Sequence, residues 1–261
     1  MSLTHRGSVE YSWVSSKGIQ VFLASLVIRD PDSEETMSLD GSVQSATTGL
    51  LGFDANIVIT ERIAQTFFAQ GYRFCLRYLS RGPEAASDLS AAEAEVILQS
   101  GLALMAVQHV RLPNWQPTGA LGQQDGQAAA QNAADVGFPP GVGIWCDLEG
   151  VLPGTAPQDV IDYSDAWFTE VADAGYIPGL YVGFGCGLNE QQLLNLKFQH
   201  YWRSQSNVPN VGGRGYQMIQ LFPEVRVNGI GIDIDVTQSD FKSSQVQWLV
   251  RPAAAAATSG E

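Results

Sequence analysis

Apolar positions along this chain alternate between two periods. Over 65–70, 94–100, 128–136 and 160–174 they recur at helical spacing, and each stretch runs into a glycine (Gly71, Gly101, Gly137, Gly175). A short, near-continuous apolar run follows each glycine, as expected of a strand covered on both faces. The glycines stand where a helix ends in a left-handed residue, a conformation that glycine adopts without strain. Ser90-Ala91-Ala92-Glu93 reads as a capping box opening the second helix. Val160, Trp167 and Val171, flanked by Ile161 and Phe168, form one apolar stripe on the fourth.

Strands alternating with helices through short links predict a parallel sheet with right-handed crossovers. Eight strands are expected, over 50–54, 73–78, 102–108, 142–149, 179–183, 200–203, 216–221 and 231–236, with the last two crossovers short or irregular. An open doubly wound sheet would carry a glycine-rich phosphate loop after its first strand, and Leu51-Gly52-Phe53-Asp54-Ala55-Asn56 is not one. The expected fold is therefore an α/β protein, a somewhat irregular (β/α)8 TIM-type barrel over 49–250. Residues 1–48 read as a β-rich extension, either a hairpin plugging the barrel or an arm for a partner chain, and 251–261 as a flexible tail.

At 261 residues and 45% hydrophobic the chain suffices for one large domain with a sizeable core. Net charge is −13, from 27 acids against 14 bases, which argues against nucleic acid or an anionic membrane as partner. No apolar run reaches the roughly 18 residues of a membrane span. The apolar stretch 19–28 is followed by charged residues, not a cleavage-type site, and reads as a strand rather than a signal peptide. As written the chain reads as cytoplasmic, with release or secretion by a non-Sec route as the alternative. Cys75, Cys146 and Cys186 show no paired spacing and are expected to be free, buried thiols.

The chemistry gathers at strand ends, which in such a barrel form the C-terminal mouth. The first expected strand ends in Asp54. The fourth ends in Asp147-Leu148-Glu149, whose two acids point the same way because side chains alternate along a strand. The eighth carries Asp233 and Asp235, again on one face. Crowded, buried carboxyls cannot all ionise, so at least one stays protonated near neutral pH and can donate a proton. Asp54, Asp147, Glu149 and Asp233 are the candidate catalytic residues; Arg77, Gln108, His109, Tyr181, Trp202, Gln220 and Asp235 are candidate substrate contacts. Converging acids serve either a divalent metal held by oxygens or glycoside hydrolysis. Only His109 falls near the mouth, which argues against zinc. Tyr181, Trp202 and Trp115 favour a sugar substrate, so neither metal nor another cofactor is expected.

Gly52-Phe53-Asp54, Asp147-Leu148-Glu149, Gly179-Leu180-Tyr181, Trp202, Ile219-Gln220 and Ile232-Asp233-Ile234-Asp235 together resemble, in order, the pattern of family 25 glycoside hydrolases, lysozymes that cut bacterial cell-wall glycan. The run Gly71 to Leu79 is similar to a bacterial glycoside-hydrolase-like domain related to them. The resemblance implies a muramidase-like enzyme on N-acetylated, peptidoglycan-like glycan, with Glu149 as general acid. It gives Asp147 the task of holding the Glu149 pKa up or orienting the substrate acetamido group, while Asp54 and Asp233 complete the acid ring. Asp235 departs from the amide usual in the lysozymes, and Arg77 has no counterpart there. Both departures leave open a non-catalytic glycan-binding or structural barrel in a larger assembly, with residues 1–48 contacting a protein partner. A metal-dependent hydrolase of phosphate esters is the third reading.

Overall fold

A computed structural model describes residues 8–16, 19–27 and 38–251. The chain divides into two units, Met1–Thr36 and Met37–Glu261. In the first, β1 (Ser8–Ser16) and β2 (Ile19–Val27) pair antiparallel as a hairpin, from Ser16 opposite Ile19 to Ser8 opposite Val27. Residues 252–261, most of the expected tail, lie outside the described residues.

In the second unit, β3 (Ser42–Ser45) precedes five strand–helix pairs. These are β4 (Leu51–Ala55) with α1 (Glu61–Ala69), β5 (Phe74–Leu79) with α2 (Ala91–Gln99), and β6 (Ala103–Gln108) with α3 (Gly119–Val136). β7 (Gly143–Leu148) with α4 (Pro157–Asp173) and β8 (Ile177–Val182) with the short α5 (Glu190–Leu194) complete them. β9 (His200–Arg203), β10 (Met218–Val227), β11 (Ile230–Thr237) and β12 (Gln247–Val250) follow. Strands β4 to β11 close into a ring through the β6–β7 and β11–β4 pairings, so the body is a TIM-like eight-stranded barrel. β12 and β3 extend the sheet outside the ring, β12 touching β6 at Leu249 opposite Leu104. Segment 42–45, expected within the extension, is thus a strand of this body.

Gly71, Gly101, Gly137 and Gly175 all have φ between +91° and +100°, as the repeated helix–glycine–strand pattern requires. Val160, Trp167 and Val171 are fully buried along α4. The capping box is half formed: Ser90 accepts from the Glu93 N–H at 3.2 Å, whereas the Glu93 carboxylate turns to Arg77 and to the Ile59 N–H. The three cysteines are free and buried.

The eighth strand departs from the expectation. β11 runs antiparallel to both β10 and β4, because only Asn228 and Gly229, at φ 54° and 85°, separate Val227 from Ile230. A two-residue Asn-Gly link closes a hairpin. A parallel crossover needs a dozen or more residues. The barrel therefore ends in a hairpin, and Asp233 reaches the mouth from the first half of its strand rather than from the end.

Two apolar cores fill the body. The larger lies between strands and helices. The smaller lies inside the barrel, where the rings of Phe74 and Trp145 occupy the space left by Gly52 and Gly179; a Cβ at either glycine would lie within 2.4 Å of the ring. The lumen is packed, so only its mouth is open to chemistry.

Candidate active site

Strand register decides which side chains meet. Asp54 lies opposite Asp233 across β4–β11, Gly52 opposite Asp235, and Asp147 opposite Tyr181 across β7–β8. Paired residues share a face, so Asp54, Asp147, Asp233 and Asp235 face inward together, Asp235 one step deeper than Asp233. Glu149 lies just past the end of β7, partly buried. Its side chain rests against Gly183, where an added Cβ would fall 2.4 Å from the Glu149 Cβ and 2.5 Å from its Oε2. Its carbonyl accepts from Trp115 Nε1 at 2.8 Å.

A buried amide ties the acids together. Gln220 Nε2 donates to Asp54 Oδ2 at 3.3 Å and to Asp233 Oδ2 at 3.0 Å, while Gln220 Oε1 accepts from the Tyr181 hydroxyl at 3.1 Å. That last bond orients the amide with its nitrogen toward the acids. Tyr78 donates to Asp54 Oδ1 at 3.1 Å, and Trp202 Nε1 to Asp235 Oδ1 at 2.9 Å. Asp147 Oδ1, Asp233 Oδ1 and Asp235 Oδ2 are buried without a hydrogen-bond donor.

The crowding sets the protonation states. Burial, then the Asp233 charge, pushes the Asp54 carboxyl up to about 7, although the hydrogen bonds from Tyr78 and Gln220 pull the other way. Burial holds Asp147 well above the usual carboxylate range, helped by Glu149 and Asp54. Glu149 is raised by burial and by Asp233. Asp233 stands at about 6 through burial and Glu224. Asp235, fully buried beside Asp54, is held well above its ordinary value. A cleft of about 220 Å³ opens beside this ring, its walls including Asp54, Asn56, Tyr78, Glu224 and Asp233.

The candidate substrate contacts divide into three groups. Tyr181, Trp202, Gln220 and Asp235 lie inside the barrel beneath or among the acids. His109 sits at the rim, Nε2 at 2.8 Å from Asp88 Oδ1 and its ring stacked on Tyr78 at 4.6 Å. Arg77 and Gln108 do not reach the site. Arg77 faces outward and is fully buried, its Nε 2.6 Å from Glu93 Oε1. Gln108, also outward, donates to the Asp125 carbonyl and accepts from Trp167 Nε1, both at 2.7 Å. Four residues join the site that the sequence reading did not assign to it: Asn56, Tyr78, Gly183 and Glu224.

Among the described residues, no group of three or more His, Cys, Asp or Glu is arranged to hold a metal ion. No helix among them is long and apolar enough to cross a membrane.

A closed barrel with carboxyls at one mouth fits a glycoside-hydrolase-like class, and the family match shows it. Residues 65–246 match the Rv2525c-like, glycoside hydrolase-like domain, and the chain belongs to that family. Asp54 lies before the matched segment. The fold is shared with the Tat-secreted protein Rv2525c of Mycobacterium tuberculosis, solved in complex with L-tartrate. That likeness has 16% identity and a TM-score of 0.56, over 74% of this chain and 97% of that one. A bacterial lysozyme from Streptomyces coelicolor (13% identity, 74% and 94% covered, TM-score 0.51) and a muramidase from Acremonium alcalophilum (14%, 74% and 95%, 0.51) share it as well. At these identities the likeness concerns the fold. No curated protein sequence matches the chain.

Proposed function

We propose that this protein is a muramidase-like hydrolase of N-acetylated bacterial cell-wall glycan, with Glu149 as general acid. The carrying observation is that Asp54, Asp147, Glu149, Asp233 and Asp235 gather at one mouth, and none of them pairs with a Lys or Arg among the described residues. The lysozyme and the muramidase on the same fold support bringing their activity to this chain.

In this reading Glu149, raised and partly exposed, gives its proton to the glycosidic oxygen as the C1–O bond breaks toward that oxygen. Asp147 Oδ1, buried without a donor, accepts the N–H of the substrate acetamido group. The acetamido carbonyl oxygen then attacks C1 from the opposite face. Glu149, now a carboxylate, takes a proton from water, the water oxygen attacks C1, and the acetamido group is released with configuration retained. Work on the wall requires export, and a non-Sec route is the one this reading adopts; the Tat-secreted state belongs to the M. tuberculosis neighbour.

Glu149→Gln is expected to lower turbidity clearing of purified walls by about 100-fold or more, the share of a general acid, with the melting temperature essentially kept. A variant that clears walls like the parent overturns the assignment. Glycan binding by the parent with no new reducing ends transfers the protein to the binding-module reading.

A further inference from the structure

Asp235 is an acid of the ring to which the proposed chemistry gives no step, and it is the most deeply buried of them. It is fully buried on β11, one pleat below Asp233. Its Oδ1 accepts from Trp202 Nε1, and its Oδ2 is buried with no donor. Its diagonal neighbour on the same face across β4–β11 is the carboxyl of Asp54, whose own oxygens accept from Tyr78 and Gln220. Two buried carboxylates facing each other would leave oxygen against oxygen with no hydrogen between them, an arrangement that costs several kcal/mol. One proton on one of the two removes the conflict. Asp54 already accepts two hydrogen bonds, which favours its charged form; Asp235 accepts one, so the proton belongs on Asp235.

We propose that Asp235 is a neutral carboxylic acid whose Oδ2 proton is donated to Asp54, making it the positioning residue that keeps Asp54 an oriented anion beneath the mouth. Asp54 then receives three donors: Tyr78 from β5, Gln220 from β10 and Asp235 from β11. The other groups facing the pair are Asp233 on β11, Asp147 on β7, Tyr181 on β8 and Trp202 on β9. None is a cation, so nothing nearby releases the proton. A protonated carboxyl and an amide both combine an acceptor oxygen with a hydrogen to donate, so an acid here can do what the resemblance would give to an amide. It holds whether or not the protein turns over glycan.

Infrared difference spectroscopy of the whole protein above pH 8 tests this directly. Parent minus Asp235→Asn is expected to contain the carbonyl stretch of a protonated carboxyl; loss of an ionised carboxylate band instead overturns the proposal. The ionisation of Asp54, followed by carboxyl carbon NMR, should stay in place in Asp235→Asn, whose amide still donates. It should move to higher pH in Asp235→Leu, which cannot. Should Asp235→Leu fail to fold, the infrared comparison decides alone. An Asp54 titration that shifts by a full unit in Asp235→Asn also sinks the idea.

Discussion

Gly183 holds the position of Glu149, the general acid proposed above, by having no side chain. Glu149 Cβ and Oε2 occupy the volume a side chain there would need. Gly183→Ala is therefore expected to displace the Glu149 carboxyl and lower wall-clearing activity by about 100-fold, since a misplacement of roughly an ångström has that effect. The melting temperature should fall only slightly, because the mouth can yield where the core cannot. Activity within a factor of two of the parent would show that Glu149 is held elsewhere. The pairing of Asp147 with Glu149 was legible from the period of two along a strand. The same parity carries the information about Arg77 and Tyr78: Phe74, Leu76 and Tyr78 alternate inward, so Arg77 must face the helices. A charge at a strand end suggests a mouth residue, yet the register with Ala55 and Ala106 places Arg77 outside. Glu224 left no such signal, because it belongs to a part of β10 that the apolar pattern does not mark.

At the scale of elements, the four helix–glycine–strand repeats were legible because each carries its own stop, and the terminal hairpin was not. Its Asn228-Gly229 signal follows only a short alternation, Glu224 to Val227, and bulges between Gln220 and Val225 put that alternation out of step with the apolar run before it. Besides apolar packing, α2 and β5 are joined by a buried ion pair, Arg77 with Glu93, and the Glu93 carboxylate also accepts from the Ile59 N–H before α1. Removing one partner strands a charge. Glu93→Ala is expected to cost about 3–5 kcal/mol in urea unfolding, and the double variant Arg77→Met with Glu93→Leu to recover most of that loss. A single-variant cost below about 1 kcal/mol would mean that water reaches the guanidinium. α3 and α4 meet differently, through Gly122 and Gly126, where an added Cβ would lie 2.1 Å and 2.8 Å from carbonyl oxygens of α4. Glycines that weaken a helix locally here allow the two backbones to approach.

For the whole molecule the acid ring sets how stability responds to pH. Asp54 at about 7, Asp233 at about 6, and Asp147 and Asp235, which burial holds well up, all stand above their unfolded values near 3.8. A carboxyl raised on folding binds its proton more tightly in the native state. Its stabilisation is therefore complete below the unfolded value and lost as pH rises through the folded one. Each such group lowers unfolding free energy by up to about 1.4 kcal/mol per pH unit across its window. Asp233 contributes less than that, since solvent screens it. His200, lowered chiefly by burial, acts oppositely: its neutral form is favoured, and stability falls as pH drops through its unfolded value of 6.5. One histidine is outweighed by four carboxyls. The melting temperature is accordingly expected to be highest on the acid side of neutrality and to fall by several degrees between pH 5.5 and 8.5, at about 2–4 °C per kcal/mol for a chain of this size. Asp147→Asn removes one buried anion at constant shape and should flatten the curve, gaining stability at pH 8.5 and little at pH 5.5. Scanning calorimetry of parent and variant across that range checks both slopes. A parent whose melting temperature rises with pH would mean that the mouth is hydrated enough to ionise freely, and a general acid at Glu149 would then lose the surroundings that keep it protonated.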